Sequence, residues 1–317
     1  MQTTAVISPF AWDKLDVWTE MLNHGLASDN DLYTTPNSKE LFLRQPDVEP
    51  EDNCFIADIE NVPAGILRVT NEYKTQRTVA NLFVNPHYRR IGIGRQLLQT
   101  AIDHSNKLNS QILHIQVAVN NDAGRFLLEQ AGFAAVRRYW KLTKRNGEIY
   151  ENTPPEGYQL RFFNRDQDEE ALTELQNQSF MGSWGFSPNT VKQIRSKARL
   201  TEWETDGILI LENSNNEMVG YNWTHRPKKN NSTQGYIGMT GILPELRGLG
   251  LGRYIVQSGI SYLSSLKIPT IILEVDASNM SARELYLSLG FELLEETVWY
   301  ELNLKHQKLI LYRSNHL

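Results

Sequence analysis

The sequence predicts an α/β fold in which a mixed, mostly antiparallel sheet (α+β in its strand mix) is flanked by helices and occurs twice in tandem. Three observations carry that expectation. The chain repeats itself at a constant offset of 158 residues: Val84 maps onto Ile242, the run Arg89 to Arg95 onto Arg247 to Arg253, Asn121 onto Asn279, Arg125 onto Arg283, and Gly132-Phe133 onto Gly290-Phe291. The length of 317 residues suits two domains better than one. Midway, Glu151-Asn152-Thr153-Pro154-Pro155-Glu156-Gly157 is polar and rich in chain breakers. The expected division is therefore a unit over 1–150, a linker over 151–157 and a second unit over 158–317.

The second unit shows the element order most clearly. Tyr158–Phe163 reads as a strand and Asp168–Gln178 as a helix, while Ser187-Pro188 offers an N-cap and first-turn proline for a helix running to about Arg199. Gly207–Glu212 and Met218–His225 read as strands around Asn213-Ser214-Asn215-Asn216, and Tyr236–Ile242 as a third. Tyr254, Ile255, Ile260, Leu263 and Leu266 recur at helical spacing before Pro269. Thr270–Val275 is an apolar strand, Ser278–Leu289 a helix ended by Gly290, and Thr297–Leu304 the closing strand. The tail from Lys305 alternates at Leu309 to Tyr312 like a further strand.

Composition removes whole classes of function. A net charge of −5 argues against nucleic acid as the main partner. The one cysteine, Cys54, excludes a disulfide framework and a thiolate metal cluster, and the seven histidines have no metal-ligand spacing, so no metal is expected. No apolar run reaches membrane length and residues 1–10 lack a signal-peptide pattern, which makes a cytoplasmic protein without a membrane partner the expectation.

A strand that ends in Arg-x-x-Gly-x-Gly and runs into a helix presents free backbone N–H groups at a helix N-terminus, which suits a phosphate. A Walker loop is excluded because Arg253 and Arg95, not lysine, follow the last glycines. A dinucleotide fingerprint is excluded because Ile255 and Leu97 stand where its third glycine belongs.

What remains resembles the Gcn5-related N-acetyltransferase (GNAT) family, over both halves of the chain. The resemblance implies two tandem GNAT-like domains. It implies acetyl-CoA as co-substrate, with its pyrophosphate on Arg247, Gly248, Leu249, Gly250, Leu251, Gly252 and Arg253, and on Arg89, Gly92 and Gly94 in the first half. It also implies that the pantetheine arm pairs with the preceding strand at Ile242 and Leu243, with Val84 as the first-half match. Ile242 N–H would stabilise the oxyanion of a tetrahedral intermediate formed by direct attack. Asn279 matches the residue that binds the cofactor arm, and its position equally suits a helix N-cap.

The resemblance makes Tyr286 the candidate general acid, since a phenol of pKa ~10 is protonated at neutral pH. Its first-half counterpart is Leu128, which has no proton to give, so the second unit is expected to be catalytic. No carboxylate occupies the strand before either turn, and the general base is open between water relayed to Glu274 or Asp276, a backbone carbonyl, and an acceptor that arrives neutral. Trp184 and Phe186, in a glycine-containing loop, are candidates to wall an acceptor pocket or to staple a helix to the core; Trp203, Trp223 and His225 are weaker ones. The expected activity is N-acetyl transfer to a small-molecule amine. Alternatives are peptide or protein N-acetylation and a non-catalytic CoA sensor or scaffold. Two copies packed as a pseudo-dimer would let the chain be a monomer.

Overall fold

The computed structural model describes residues 4–25, 36–46, 48–145, 147–151, 153–199, 207–225 and 234–305. Trp203 and the alternating tail at Leu309 to Tyr312 lie outside them. The first repeat runs β1 (Val6–Pro9), α1 (Leu15–Gly25), α2 (Pro36–Leu43), α3 (Pro50–Asn53), β2 (Cys54–Ile59), β3 (Val62–Glu72), β4 (Arg77–Val84), α4 (Ile93–Lys107), β5 (Ile112–Ala118), α5 (Asp122–Gln130) and β6 (Ala134–Arg145). The second runs β7 (Tyr158–Phe162), α6 (Glu169–Phe180), α7 (Val191–Lys197), β8 (Ile208–Asn213), β9 (Met218–His225), β10 (Gln234–Ile242), α8 (Leu251–Ser265), β11 (Thr270–Asp276), α9 (Met280–Ser288) and β12 (Glu292–Asn303). This is the mixed, mostly antiparallel sheet with helices that the pattern predicts, twice over.

The two compact units do not coincide with the two repeats. One comprises the chain up to Arg138 together with the chain from Glu296, and the other comprises Tyr139 to Glu295. The cause is an exchange of closing strands. β12 pairs antiparallel with β5, Thr297 opposite Ala118 through Asn303 opposite Ile112. β6 pairs antiparallel with β11, Thr270 opposite Arg145 through Asp276 opposite Tyr139. The first unit's strands thus run β1-β2-β3-β4-β5-β12, and the second's β6-β11-β10-β9-β8-β7.

In the second unit the two faces of the sheet carry different helices. Val256, Ile260 and Leu263 of α8 and Leu285 of α9 pack on Leu142, Ile237, Ile271, Leu273 and Val275. Leu172, Leu175 and Ile194 of α6 and α7 pack on Ile208, Ile210, Tyr221 and Trp223, with Met239 beside them. Side chains alternate along a strand, so Glu274 and Asp276 of β11, and Tyr139 and Lys141 of β6, fall on the α6/α7 side. Asn213 makes the β8–β9 turn by accepting the N–H groups of Asn215 and Glu217, with Asn216 at φ 61°. One cap differs from expectation. Helix α7 starts at Val191, not after Ser187-Pro188, because Thr190 and Gln193 form a reciprocal capping box that satisfies two helix-end groups at once.

Candidate active site

Strands β10 and β11 are parallel neighbours only from Gln234 opposite Thr270 to Ile237 opposite Leu273. A bulge between Ile237 and Met239 then turns β10 away, and Met239 to Ile242 pair with β9 alone. The direction of the backbone groups follows from the ladder. Leu243 N–H bonds the Val219 carbonyl at 3.0 Å. By antiparallel alternation, Thr240 and Ile242 therefore aim their N–H and C=O groups away from β9, into the opening beside β11. The Arg247 guanidinium covers one of these groups: its Nε donates to the Ile242 carbonyl at 3.4 Å and its Nη2 to the Ser179 carbonyl at 2.6 Å. That leaves the Ile242 N–H to face the opening. The first unit has the same design. Asn85 N–H bonds Ala64, β4 and β5 pair only from Arg77 to Ala80, and Arg89 Nε donates to the Val84 carbonyl at 3.3 Å. The arginine side chains of both turns are thus tied to the protein.

Beyond β10 the chain turns at Gly248 (φ 83°) and Gly250 (φ 81°) into α8, with no side chain capping its N-terminus. A Cβ at Gly248 or Gly250 would meet nothing within 4 Å, and one at Gly252 only Leu285 at 3.9 Å. The N–H groups of Leu251, Gly252 and Arg253, which a helix cannot satisfy internally, open onto unfilled space with the positive end of the helix dipole behind them. This fits a phosphate-bearing ligand. In the first unit Gly92 (φ 98°) starts α4, but Gln96 leans over that turn, its amide nitrogen 3.9 Å from a Gly92 Cβ and its oxygen accepting the Ala5 N–H at 3.1 Å.

Tyr286 lies on α9, partly buried, with its ring edge-on to Phe291 at 5.9 Å. Burial raises its pKa above the ordinary tyrosine value, and a hydrogen bond from the Thr240 hydroxyl offsets part of that rise. The Thr240 hydroxyl also accepts from Asn222 Nδ2 at 2.8 Å. The Thr240 hydroxyl thus stands between the Asn222 amide and the phenol. The sequence reading missed Thr240 and Asn222, whose roles depend on strand register. In the first unit the matching cross-strand pair is Leu67 and Leu82, beside the buried Leu128. A chain of three polar groups in one unit is three leucines in the other.

Asn279 is an N-cap: its Oδ1 accepts the Ala282 N–H at 3.1 Å, as Asn121 does for Gly124 at 2.9 Å. Its amide nitrogen remains for a ligand. Arg283 and Arg125 brace the same loops, donating to the Ala277 and Val119 carbonyls at 2.7 and 2.9 Å. Trp184 and Phe186 are both partly buried in the loop after α6, and Trp184 reaches Tyr139, ring centroids 6.3 Å apart. Trp223 is buried in the core under α6 and α7, away from solvent.

His225 stacks on Tyr236, planes 17° apart, under Gly238, where a Cβ would come within 2.3 Å of the imidazole. Burial lowers its pKa to about 4. The unfolded chain protonates near pH 6.5 and the folded chain does not, so the stabilising contribution is complete above that pH and is lost as pH falls toward 4, by up to about 3 kcal/mol. Urea unfolding at pH 7 and pH 4.5 should show a larger loss in the native protein than in His225→Asn; equal losses would contradict the assignment.

Matches to known proteins give the class. The family model described as "Acetyltransferase (GNAT) family" matches residues 18–133 and 152–291, and the chain belongs to this family. It is similar to mycothiol acetyltransferases of Saccharomonospora viridis (31% identical, covering 71% of this chain and 74% of the relative) and Stackebrandtia nassauensis (28%, 77% and 80%). Among solved structures it resembles a GCN5-related N-acetyltransferase from Sphaerobacter thermophilus (TM-score 0.73, 18% identity, 95% and 96% covered). It also resembles a tandem GNAT protein from the clavulanic acid biosynthesis pathway (TM-score 0.71, 17%, 95% and 99%). The protein is an acetyltransferase. No helix among the described residues is long and apolar enough to cross a membrane.

Proposed function

We propose that the second unit transfers the acetyl group of acetyl-CoA to the amine of a small molecule, and that the first unit is not catalytic. One observation carries the reading: the Asn222, Thr240 and Tyr286 chain stands beside the open strand edge of the second unit, while leucines fill the equivalent places in the first. Acetyl transfer needs a donor for the carbonyl oxygen and a proton for the departing thiolate. Ile242 N–H supplies the first and Tyr286 the second. Leu243 and Ile242 flank the strand edge that the pantetheine arm would extend, the α8 N–H groups with Gly248, Gly250 and Gly252 would hold the pyrophosphate, and the Asn279 amide would meet the arm. When bound, the thioester supplies an activated acetyl group; every other function belongs to the chain.

The amine must lose a proton, and Glu274 and Asp276, on the α6/α7 face of β11, are the candidates to receive it through a water relay. The relatives' name points to acetyl transfer onto a small molecule, and the loop from α6 to Trp184 favours this over a peptide by crossing the acceptor face. Assay of thiol release from acetyl-CoA with a broad panel of small amines should give amine-dependent turnover. Tight acetyl-CoA binding without amine-dependent release would favour the sensor or scaffold instead.

A further inference from the structure

We propose that the first unit holds a binding site for a small anionic ligand, one bearing a carboxylate or a phosphate, on the α1/α2 face of its sheet, with the Arg68 guanidinium as the group that recognises it. The inference goes beyond acetyl transfer and does not depend on it. Arg68 lies on β3, opposite Cys54 of β2 and Asn81 of β4. Its face is that of Ile66 and Cys54, which pack with Trp18 and Met21 of α1 and Leu43 of α2. The duplicated fold shows that this place needs no charge. In the second unit Asn222 and Thr240 stand for Leu67 and Leu82, and the next pair along, Arg68 and Asn81, is replaced by Trp223 and Met239. Both of these belong to the apolar cluster under α6 and α7.

A guanidinium on a largely apolar face is normally answered by a carboxylate. Among the described residues none pairs with Arg68. The acids on neighbouring elements are taken: Glu40 by Arg44 at 2.8 Å, Glu72 by Arg77, and Glu301 by His114 at 2.8 Å. Burial pushes the Cys54 thiol up to about 12, so it stays neutral and supplies no counter-charge. Arg68 Nε is buried and makes no hydrogen bond, while Nη2 donates at 3.2 Å to Oδ1 of Asn81, an exposed residue. The guanidinium lies 5.0 Å from the centre of the Phe42 ring of α2, and Lys39 Nζ lies 4.8 Å from the same centre. Two cations thus share one aromatic ring, and an anion beside them relieves their mutual repulsion. The Asn81 end of the Arg68 side chain meets solvent. There an anion with two oxygens can take parallel N–H bonds from the guanidinium, with the Asn81 amide nitrogen as a further donor.

The test is isothermal titration calorimetry of the full chain with benzoate, phenyl phosphate and benzamide, which keep one ring and change the headgroup from anion to neutral amide. The better of the two anions is expected to bind at least about tenfold more tightly than benzamide, a difference of roughly 1.4 kcal/mol. Which anion it is tells a carboxylate ligand from a phosphate. Arg68→Met should abolish the difference, and Arg68→Lys should weaken it severalfold, because an ammonium lacks the planar fork. Without ligand, Arg68→Met should melt at or above the native temperature, since it removes from a half-buried place a charge that has no counter-ion. Equal affinity for the three probes overturns the proposal, as does anion binding that persists in Arg68→Met and so belongs to a glycine turn. A marked fall in the melting temperature of Arg68→Met, with no anion preference in the native chain, makes Arg68 a packing residue and overturns it as well.

Discussion

Tyr286→Phe should lower kcat by about 10²–10⁴-fold, the range for loss of a positioned general acid, while the affinity for acetyl-CoA stays as it was. The ring keeps its edge-on contact with Phe291, so the fold has no reason to change. The groups that would bind the cofactor, the α8 N-terminus and the outward edge of β10, are untouched. Burial raises the Tyr286 pKa, so the phenol holds its proton throughout the neutral range and has it to give as the thiolate departs. Thr240→Val should cost less, roughly 3–10-fold, because it keeps the phenol but removes the hydrogen bond that aims it. Thr240→Ser should restore the rate. Rapid-quench or steady-state thiol release separates these outcomes, and an unchanged kcat in Tyr286→Phe would remove the residue from the mechanism.

A chain that begins at Tyr158 should fail to fold, although it contains an entire repeat. The second unit takes its last strand from the first repeat: residues 139–145 of β6 cover the whole length of β11. Leu142 on that strand is fully buried in the core under α8 and α9. Losing a buried leucine side chain alone costs about 2–5 kcal/mol, a large share of the 5–15 kcal/mol that holds a domain together. Truncation would also bare the edge of β11, an invitation to aggregate. A chain starting at Ala134 keeps β6 and should be far more soluble. Circular dichroism melts of the two truncations decide the matter, and a cooperative melt of the 158–317 chain would refute it.

This exchange was not legible in the sequence, and the reason is physical. The strand ending in Arg145 has the same alternation whichever sheet receives it, and pattern alone carries no information on which edge it joins. The glycine turn at the start of a helix was legible because it depends on spacing within one short segment, whereas Asn279 and Tyr286 entered as candidates through the resemblance. Thr240 and Asn222 were not legible, since their contact requires the β9–β10 register and the bulge at Gly238 shifts it by one residue. The role of Arg247 was half legible: its presence in the turn was read, but its use in capping the Ile242 and Ser179 carbonyls follows only from the folded strand end. Asn279 satisfied the plainer of its two readings, the helix cap.

The most direct test of a second-unit acyl-CoA site is native mass spectrometry of the full chain with acetyl-CoA, beside Gly250→Glu and Gly92→Glu. At Gly250 the added side chain meets no neighbour within 4 Å, but it must adopt φ 81° and place a negative charge at the helix N-terminus where the pyrophosphate would sit. The account predicts that Gly250→Glu loses the acetyl-CoA adduct and turnover together, while Gly92→Glu keeps turnover. Retained binding and turnover in Gly250→Glu, or their loss only in Gly92→Glu, would contradict it.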